Sequence, residues 1–171
     1  MVLTMGSTLV GFFSGKGSMN GRIVIPIENE RGDLVAYAGR AIDGSEPKYK
    51  LPAGFKKSHV LFNLARALEE DSTGAVVLVE GFFDCIKVTQ AEHVCVALMG
   101  CSMSEEQEVQ LAAHFRQVVI MLDGDEAGSR ATDECLVRLA RRGLWVTAVV
   151  LRPGQQPDQL STEELKDLLR K

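Results

Sequence analysis

Two apolar segments of this sequence end in acidic residues whose types and spacing could support metal chemistry. In VLVEGFFDC, Glu80 follows a run of aliphatic residues and Asp84 comes four residues later. In VVIMLDGDEAG, the apolar run is followed by Asp123 and Asp125, with one glycine between them. Burying unpaired carboxylates is costly, or forces them to take up a proton. The four acids therefore either lie at an exposed edge or converge to hold a cation.

The four acids offer oxygen ligands, with no histidine or thiolate among them. Such a set suits Mg²⁺ or Mn²⁺, which retain waters and accept substrate phosphates as further ligands. Repulsion between like charges raises the pKa of a carboxyl group, so Glu80 could also act as a general base. The alternative is that these acids lie in solvent or cap the next helix, as Asp123 could do. Spacing alone leaves both interpretations open.

The predicted order of strands and helices would bring these acids to one edge of a sheet. The predicted strands are residues 75–79, 94–98, 118–122 and 145–151. The predicted helices are residues 82–90 and 104–114, one that ends at residue 142, and 162–170. This βαβαβαβ pattern, with nearly all-apolar strands, predicts a parallel, doubly wound sheet. Ligands bind beyond the carboxyl ends of such strands, where Glu80 and Asp123 immediately follow two of them.

The first part of the chain predicts a different arrangement. Two β-branched runs, Ile23–Ile27 and Leu34–Ala38, flank an Asn-Glu-Arg-Gly-Asp turn, so a hairpin is expected. Residues 43–57 contain two prolines and two glycines and are expected to form a long loop. Ser58 is expected to cap a helix that runs to about Glu70.

These patterns divide the chain into three expected parts. Residues 1–72 form a hairpin-and-helix subdomain, residues 73–152 form the α/β domain, and residues 153–171 form a tail with a short helix. The expected fold class is α/β, with a mainly parallel, doubly wound sheet preceded by a small β-rich subdomain. A length of 171 residues suits one domain with a smaller subdomain attached.

Composition argues against a membrane protein and against a zinc site. No apolar run approaches the ~20 residues needed to span a bilayer. The N-terminal stretch MVLTMGSTLVGFF lacks the basic region and cleavage site of a signal peptide. The four cysteines form no C-x-x-C pair and the three histidines are scattered, so reduced core thiols are expected. We therefore expect a cytoplasmic protein without a membrane partner.

The net charge of −4 conceals an asymmetry along the chain. Residues 1–70 carry 9 Lys and Arg against 7 Asp and Glu, whereas residues 71–171 carry 10 against 16. Basic and aromatic residues cluster in the first part: Lys48, Tyr49, Lys50, Phe55, Lys56 and Lys57. A protein that grips long duplex DNA by charge alone would be more basic. A basic patch beside an acidic metal site is compatible with a nucleic-acid enzyme, because the metal offsets the local negative charge.

The two acidic stretches resemble the Toprim domain, a Rossmann-like fold shared by bacterial-type primases, topoisomerases and certain nucleases. The resemblance rests on VEGFFD, with Glu80 and Asp84, and on LDGDEAG, with Asp123 and Asp125. Further stretches resemble the bacterial-type primases in particular: GRIVIPIENERGDLVAYAGRAI, EPKY, FKKSHVLFNLARA and a late R-P-G-x-x-P-D run. The resemblance covers roughly residues 11–160, and it implies the core of an enzyme that makes RNA primers in DNA replication.

The resemblance to primases implies roles for individual residues. Glu80 would be the acid essential to nucleotidyl transfer, as base or metal ligand. The residues that hold divalent metal would be Glu80, Asp84, Asp123, Asp125 and Asp158. The residues of the groove for template strand or nucleotide phosphates would be Arg22, Arg40, Lys48, Tyr49 and Lys57, with Arg22 in support. The implied cofactor is Mg²⁺ or Mn²⁺, and the implied partners are single-stranded DNA, ribonucleoside triphosphates and a replicative helicase.

The sequence departs from the primase pattern in two ways, which keep other functions open. Primases usually carry an acid where this chain has Gln156, and Gln159 follows Asp158, so one metal position is expected to be weakened or unused. No zinc-binding cluster precedes the hairpin, so we expect a fragment of a longer primase or a short protein with an altered role. One alternative is a Toprim nuclease or a topoisomerase-like enzyme. A type IA topoisomerase would need a strand-cleaving tyrosine, and the only tyrosines of this chain are Tyr37 and Tyr49, both in its first part. Another is a non-catalytic module that binds metal and nucleic acid.

Overall fold

A computed structural model describes residues 2–5 and 8–170, so Met1 and Lys171, the outer limits of the first and third expected parts, lie outside the described residues. One sheet contains β1 (Val2–Met5), β2 (Thr8–Phe13), β3 (Arg22–Glu28), β4 (Leu34–Ala41) and β5 (Tyr49–Lys50). The other contains β6 (Ala75–Val79), β7 (Cys95–Ala97), β8 (Gln117–Ile120) and β9 (Trp145–Ala148). The helices are α1 (Leu64–Glu70), α2 (Phe82–Gln90), α3 (Glu105–His114), α4 (Glu126–Arg141) and α5 (Thr162–Leu169). Within the described residues, no helix has the length and apolarity to cross a membrane.

The α/β part is a parallel sheet with the strand order β7-β6-β8-β9, which confirms the predicted fold class. Alternate residues of β6 point into different core clusters. Val77 and Val79 belong to one cluster, and Val76 and Leu78 belong to the other. Both faces of the sheet are therefore covered, as a run of apolar residues in a parallel strand requires. The order places β6 beside β8, so the acids that follow these two strands meet at one rim.

The β-rich part is an antiparallel sheet whose five strands follow chain order. The predicted hairpin is present as β3 and β4, paired from Arg22 opposite Ala41 to Glu28 opposite Leu34. The strands β1, β2 and β5 were not predicted, because glycines interrupt the first twenty residues and β5 is two residues long within a proline-containing loop. Ile25 of this sheet lies in the same core cluster as Val79 of the parallel sheet. The two sheets thus share hydrophobic core.

The helix that was predicted to start after Ser58 starts at Leu64 instead. Before it, Phe62 donates its N–H to Ala97 O at 2.9 Å, and Ala97 donates its N–H to Phe62 O at 3.1 Å. This pairing keeps the chain extended and buries Phe62, and Asn63, with a φ of 67°, then turns it into the helix. Tertiary pairing therefore overrides the local capping signal, and the prediction for Ser58 was wrong.

Three strands of the parallel sheet end before their predicted limits. They end at Ala97, Ile120 and Ala148. Beyond β8, Met121 still donates its N–H to Leu78 O at 2.9 Å, and Met121 and Leu122 stay buried. The apolar sequence continues past the end of the strand because Met121 and Leu122 pack in the core. Asp123 therefore follows β8 only after these two residues. The prediction that it follows the strand immediately was wrong.

Helix α1 belongs to the packing of the parallel sheet. Leu64 and Ala67 lie in the core cluster that contains Val76 and Leu78 of β6. The segment before residue 73 thus contributes to the core of the α/β part. The division of the chain at residues 72 and 73, and that at 152 and 153, stay predictions.

Candidate active site

Glu80 lies at the carboxyl end of β6, next to the segment that leaves β8. Its Oε1 accepts a hydrogen bond from the N–H of Asp123 at 3.2 Å. Burial raises the pKa of Glu80 to about 7, and the negative charges of Asp123 and Asp125 act in the same direction. Near neutral pH this carboxyl group is therefore poised to take up or release a proton.

Asp84 lies in the first turn of α2 and is only 8% exposed. Its Oδ2 accepts the N–H of Gly81 at 3.0 Å, and its Oδ1 accepts the N–H of Asp158 at 3.1 Å. Burial raises the pKa of Asp84 to about 6, and the charges of Asp123 and Asp158 contribute. Asp84 thus fastens the C-terminal segment to the start of α2 and adds negative charge to the rim.

Asp123 has one oxygen in a hydrogen bond and one without a partner. Its Oδ2 accepts a hydrogen bond from Gln156 Nε2 at 2.5 Å. Its Oδ1 is buried and has no hydrogen-bond partner in the part of the chain that the structure describes. Burial raises the pKa of Asp123, whereas the hydrogen bond from Gln156 lowers it. A buried carboxylate oxygen without a partner is costly, and coordination to a cation would relieve that cost.

Gly124 and Gly128 let the segments of the site approach one another closely. A Cβ atom on Gly124 would lie 2.1 Å from the carbonyl oxygen of Arg152. Gly124 also donates its N–H to Gln155 O at 2.8 Å, which ties the C-terminal segment to the turn after β8. A Cβ atom on Gly128 would lie 2.1 Å from the carbonyl oxygen of Asp123. Any side chain at either position would push neighbouring backbone away from the acids.

Asp125 and Asp158 occupy different places around the site. Asp125 is exposed and caps α4, since its Oδ1 accepts the N–H of Gly128 at 2.7 Å. The capping alternative therefore applies to Asp125 and not to Asp123. Asp158 lies in the 3-10 turn Pro157–Gln159 and faces the same groove as Asp84. The roles of Asp125 and Asp158 as metal ligands stay predictions.

Acidic and basic residues line one groove with a volume of about 350 Å³. Among the predicted residues, its lining contains Arg40, Lys48, Tyr49, Lys57, Glu80, Asp84, Asp123 and Asp158. Lys57 is held in place, because its Nζ donates to the carbonyl oxygen of Met99 at 2.9 Å. The groove runs between the two sheets and joins the basic segment of the first part of the chain to the acidic rim of the second.

Aromatic rings hold the guanidinium group of Arg40 at the groove. Its Cζ lies 5.1 Å from the ring centroid of Tyr49 and 4.6 Å from that of Phe83. Arg40 Nη1 also donates to the hydroxyl oxygen of Tyr49 at 2.6 Å. Burial raises the pKa of Tyr49, and the contact with Arg40 opposes this shift. Sequence reasoning missed Phe83, although its place beside Asp84 in the first turn of α2 was a usable signal.

Arg22 lies outside the groove and is 8% exposed. Its Nη1 donates to the carbonyl oxygens of Gly39 at 3.1 Å and Pro47 at 2.8 Å. These bonds fasten the loop that carries Lys48 onto β4. A direct role of Arg22 in binding nucleic acid or nucleotides stays a prediction.

The residues at the groove are suitable ligands for a hard divalent cation, but they do not by themselves complete the set of ligands around it. Within the described residues, no three His, Cys, Asp or Glu side chains form a ready-made metal centre. The donors are carboxylate oxygens, and Asp123 Oδ1 is buried without a partner. Mg²⁺ and Mn²⁺ accept such ligands and complete their shell with water and substrate phosphate. The roles of Glu80, Asp84 and Asp123 as ligands of such an ion stay predictions.

Two family models match this chain. The model described as the N-terminal domain of the DNA primase catalytic core matches residues 15–68. The model described as Toprim-like matches residues 77–161. Together they cover β3, β4 and β5 of the antiparallel sheet, nearly all of the parallel sheet and the segment that carries Gln156.

Similar proteins are named DNA primases. The chain is 35% identical over 157 residues to the DNA primase of Thermotoga maritima, and the match covers 88% of this chain and 28% of that protein. It is 36% identical over 153 residues to a DNA primase of Staphylococcus aureus, and this match covers 86% of this chain and 25% of that protein. The chain therefore spans about a quarter of the length of these relatives.

Solved structures with a similar fold are primase cores. The zinc-binding and RNA polymerase domains of the Aquifex aeolicus primase match with a TM-score of 0.79 at 32% identity, over 94% of this chain and 43% of that one. The Escherichia coli primase catalytic core matches with a TM-score of 0.78 at 26% identity, over 97% and 56%. A DnaG primase catalytic domain bound to single-stranded DNA matches with a TM-score of 0.78 at 25% identity, over 88% and 51%.

Proposed function

This chain belongs to the bacterial-type DNA primase family, and we propose that it forms the catalytic core of a primase-type RNA polymerase. In this proposal it joins ribonucleoside triphosphates on a single-stranded DNA template and so makes RNA primers for DNA replication. The observation that carries the proposal is the groove, whose lining brings together Glu80 and Asp123 with Arg40, Lys48 and Lys57. A cytoplasmic location, where replication of a bacterial chromosome takes place, belongs to the same proposal.

Nucleotidyl transfer requires positioned reactants and an offset for the charge on the phosphate oxygens. The Toprim and primase families generally use divalent metal, and Mg²⁺ or Mn²⁺ held by Glu80 and Asp123 would supply part of that offset. Lys48 and Lys57 would add positive charge for the phosphates. Lys57 uses one donor on Met99 O, and an ammonium group has three, so two remain for a substrate.

Glu80 has the properties of a general base for this reaction. A carboxyl group with a pKa of about 7 is partly ionised at neutral pH and binds a proton more tightly than an ordinary glutamate. Where Asp123 and the substrate phosphates hold the ion and Glu80 does not, Glu80 receives the proton of the hydroxyl group that attacks the nucleotide phosphate, and pyrophosphate leaves; its Oε1 is held by the N–H of Asp123.

The template would lie along the basic side of the groove. Single-stranded nucleic acid is held by cationic side chains along the backbone and by aromatic rings that stack on bases. The guanidinium group of Arg40 lies against the rings of Tyr49 and Phe83 at the edge of the groove, which supports a role of these residues in binding the template. The similarity to a primase domain bound to single-stranded DNA supports this placement. Association with a replicative helicase, which primase function implies, belongs to the same proposal.

Primer synthesis tests the proposal against its alternatives. The chain is incubated with a single-stranded template, ribonucleoside triphosphates and Mg²⁺ or Mn²⁺, and we expect short RNA products that depend on template and metal. Nicking of supercoiled DNA without primers would favour a nuclease or a topoisomerase-like enzyme. Binding of metal and DNA without any turnover would favour a non-catalytic module.

A further inference from the structure

The side chain of Gln156 controls one of the two oxygens of Asp123. Gln156 Nε2 donates to Asp123 Oδ2 at 2.5 Å, which is a short bond between an amide and a carboxylate. The other oxygen, Oδ1, is buried and has no partner among the described residues. The two oxygens of Asp123 therefore differ. Oδ2 accepts a hydrogen bond from the protein, whereas Oδ1 has no partner among the described residues and can bind an added ligand.

The backbone around Gln156 fixes the position of its amide group. The N–H of Gln156 donates to Gln159 Oε1 at 3.0 Å. On one side, Gly124 donates its N–H to Gln155 O at 2.8 Å, and on the other, Asp158 donates its N–H to Asp84 Oδ1 at 3.1 Å. The segment is therefore anchored before and after Gln156, and the contact with Asp123 follows from the path of the chain.

The chemistry of an amide limits what Asp123 can offer to a cation. The Nε2 group of glutamine is a donor, so it occupies a carboxylate oxygen without itself being a metal ligand. A carboxylate with one oxygen turned toward an amide donor favours monodentate binding, because that oxygen must share or give up its hydrogen bond to reach the same ion. Mg²⁺ and Mn²⁺ accept single oxygens in a regular shell, whereas Ca²⁺ often takes both oxygens of one carboxylate.

We propose that Gln156 is a positioning residue that keeps Asp123 monodentate, reserving Oδ1 for a small divalent cation and discriminating against Ca²⁺. This inference rests on the proposed function, because it takes the cation used in nucleotidyl transfer to be held at Asp123. Gln156 touches neither the cation nor the nucleotide in this role, and it acts through the orientation of the Asp123 carboxylate.

Titration of the chain with Mn²⁺ alone and with Ca²⁺ alone, followed by calorimetry, tests the inference. Gln156→Ala frees Oδ2, and we expect the ratio of Mn²⁺ to Ca²⁺ affinity to fall about tenfold, mainly through tighter Ca²⁺ binding. Gln156→Glu keeps the length of the side chain and adds a carboxylate beside Asp123, so both ions should bind about tenfold more tightly or better. Both gains should disappear when Asp123 is also replaced by Asn.

Gln159→Glu is the matched control. It adds the same charge three residues away, in the 3-10 turn that follows Gln156, and its carboxylate can still accept the N–H of Gln156. We expect its affinities for both ions to stay within about threefold of the unmodified chain. The inference is overturned if both Gln156 variants bind Mn²⁺ and Ca²⁺ as the unmodified chain does, or if Gln159→Glu reproduces the effect of Gln156→Glu.

Primer synthesis, measured in parallel, separates this inference from the proposed function. A chain that makes primers while its Gln156 variants keep the same ion preference contradicts the inference alone. A chain whose ion preference shifts as expected but which makes no primers contradicts the proposed function alone. Because Gln156→Glu conserves side-chain length, it keeps the test decisive should Gln156→Ala disturb folding.

Discussion

At the scale of single residues, the site concentrates carboxyl groups that are costly to ionise. Burial raises the pKa of Glu80 to about 7 and that of Asp84 to about 6, with neighbouring negative charges adding to both shifts. Raised pKa values of clustered acids in a groove mark a candidate functional site. The same shifts mean that these residues oppose folding once they are ionised, which a bound cation would offset.

The stability of the metal-free protein should therefore depend on pH in a defined direction. The folded-state pKa of Glu80 lies above its ordinary value of 4.5, so the folded chain holds more protons than the unfolded chain between about pH 4.5 and 7. Stability associated with this group is present below that range and is lost as the pH rises through 7. Glu80→Gln should flatten this dependence and raise the melting temperature at pH 8, as thermal unfolding in a chelator would show. Parallel curves for the two proteins would contradict this account.

The sequence was informative about some of these residues and silent about others. Glu80 and Asp123 could be predicted to meet, because each follows an apolar strand of a parallel sheet and such strands end at one rim. The contact between Gln156 and Asp123 could not, because it depends on how the C-terminal segment crosses Gly124. The exposed cap formed by Asp125 was also not distinguishable from a metal ligand by spacing alone.

At the scale of elements, the strands and helices of the α/β part could be read from hydrophobic patterns. The apolar strands and the capping box of Ser104 and Gln107 give strong local signals, and the structure confirms them. The start of α1 depends on the pairing of Phe62 with Ala97, and the two-residue strand β5 depends on its pairing with β4 at Gly39 and Arg40. Such tertiary contacts leave little trace in the local sequence.

The turn after β8 and the segment that ends at Gln159 act as one unit, and Gly124 is the point where they touch. A Cβ atom there would lie 2.1 Å from Arg152 O, a backbone atom that cannot rotate away. We expect Gly124→Ala to lower the free energy of unfolding by about 1–3 kcal/mol, as over-packing generally does. Chemical denaturation measures this change. Gly11→Ala is the control, because a Cβ at Gly11 meets nothing within 4 Å, and equal losses in both variants would refute the explanation.

At the scale of the whole molecule, two sheets of different topology share a core and leave a groove between them. The antiparallel sheet brings basic and aromatic residues to the groove, and the parallel sheet brings the acids. The charge asymmetry along the sequence, with the first part basic and the second acidic, is thus expressed in space across the groove. Neither part alone would combine positive charge for phosphates with oxygen ligands for a cation.

Binding of single-stranded DNA along the basic side should depend on salt in proportion to the phosphates contacted. For single strands, the slope of log affinity against log salt is about −0.7 per neutralised phosphate. Lys48→Ala should therefore weaken binding and make the slope shallower by about 0.7, if Lys48 meets one phosphate. Fluorescence anisotropy over a range of salt concentrations gives the slope. Lys16→Ala is the control, because Lys16 does not line the groove. An unchanged slope in Lys48→Ala would rule out a contact between Lys48 and the DNA backbone.

The most direct test of the central claim compares primer synthesis by the unmodified chain, by Glu80→Gln and by Glu92→Gln. Glu92 is an exposed residue paired with Lys166, so its replacement makes the same chemical change away from the groove. We predict that Glu80→Gln lowers the rate of ribonucleotide incorporation by about 10²-fold or more, while Glu92→Gln leaves it unchanged. Primer synthesis by Glu80→Gln at the rate of the unmodified chain would contradict the account, because the groove carboxylates would then not be the site of the chemistry.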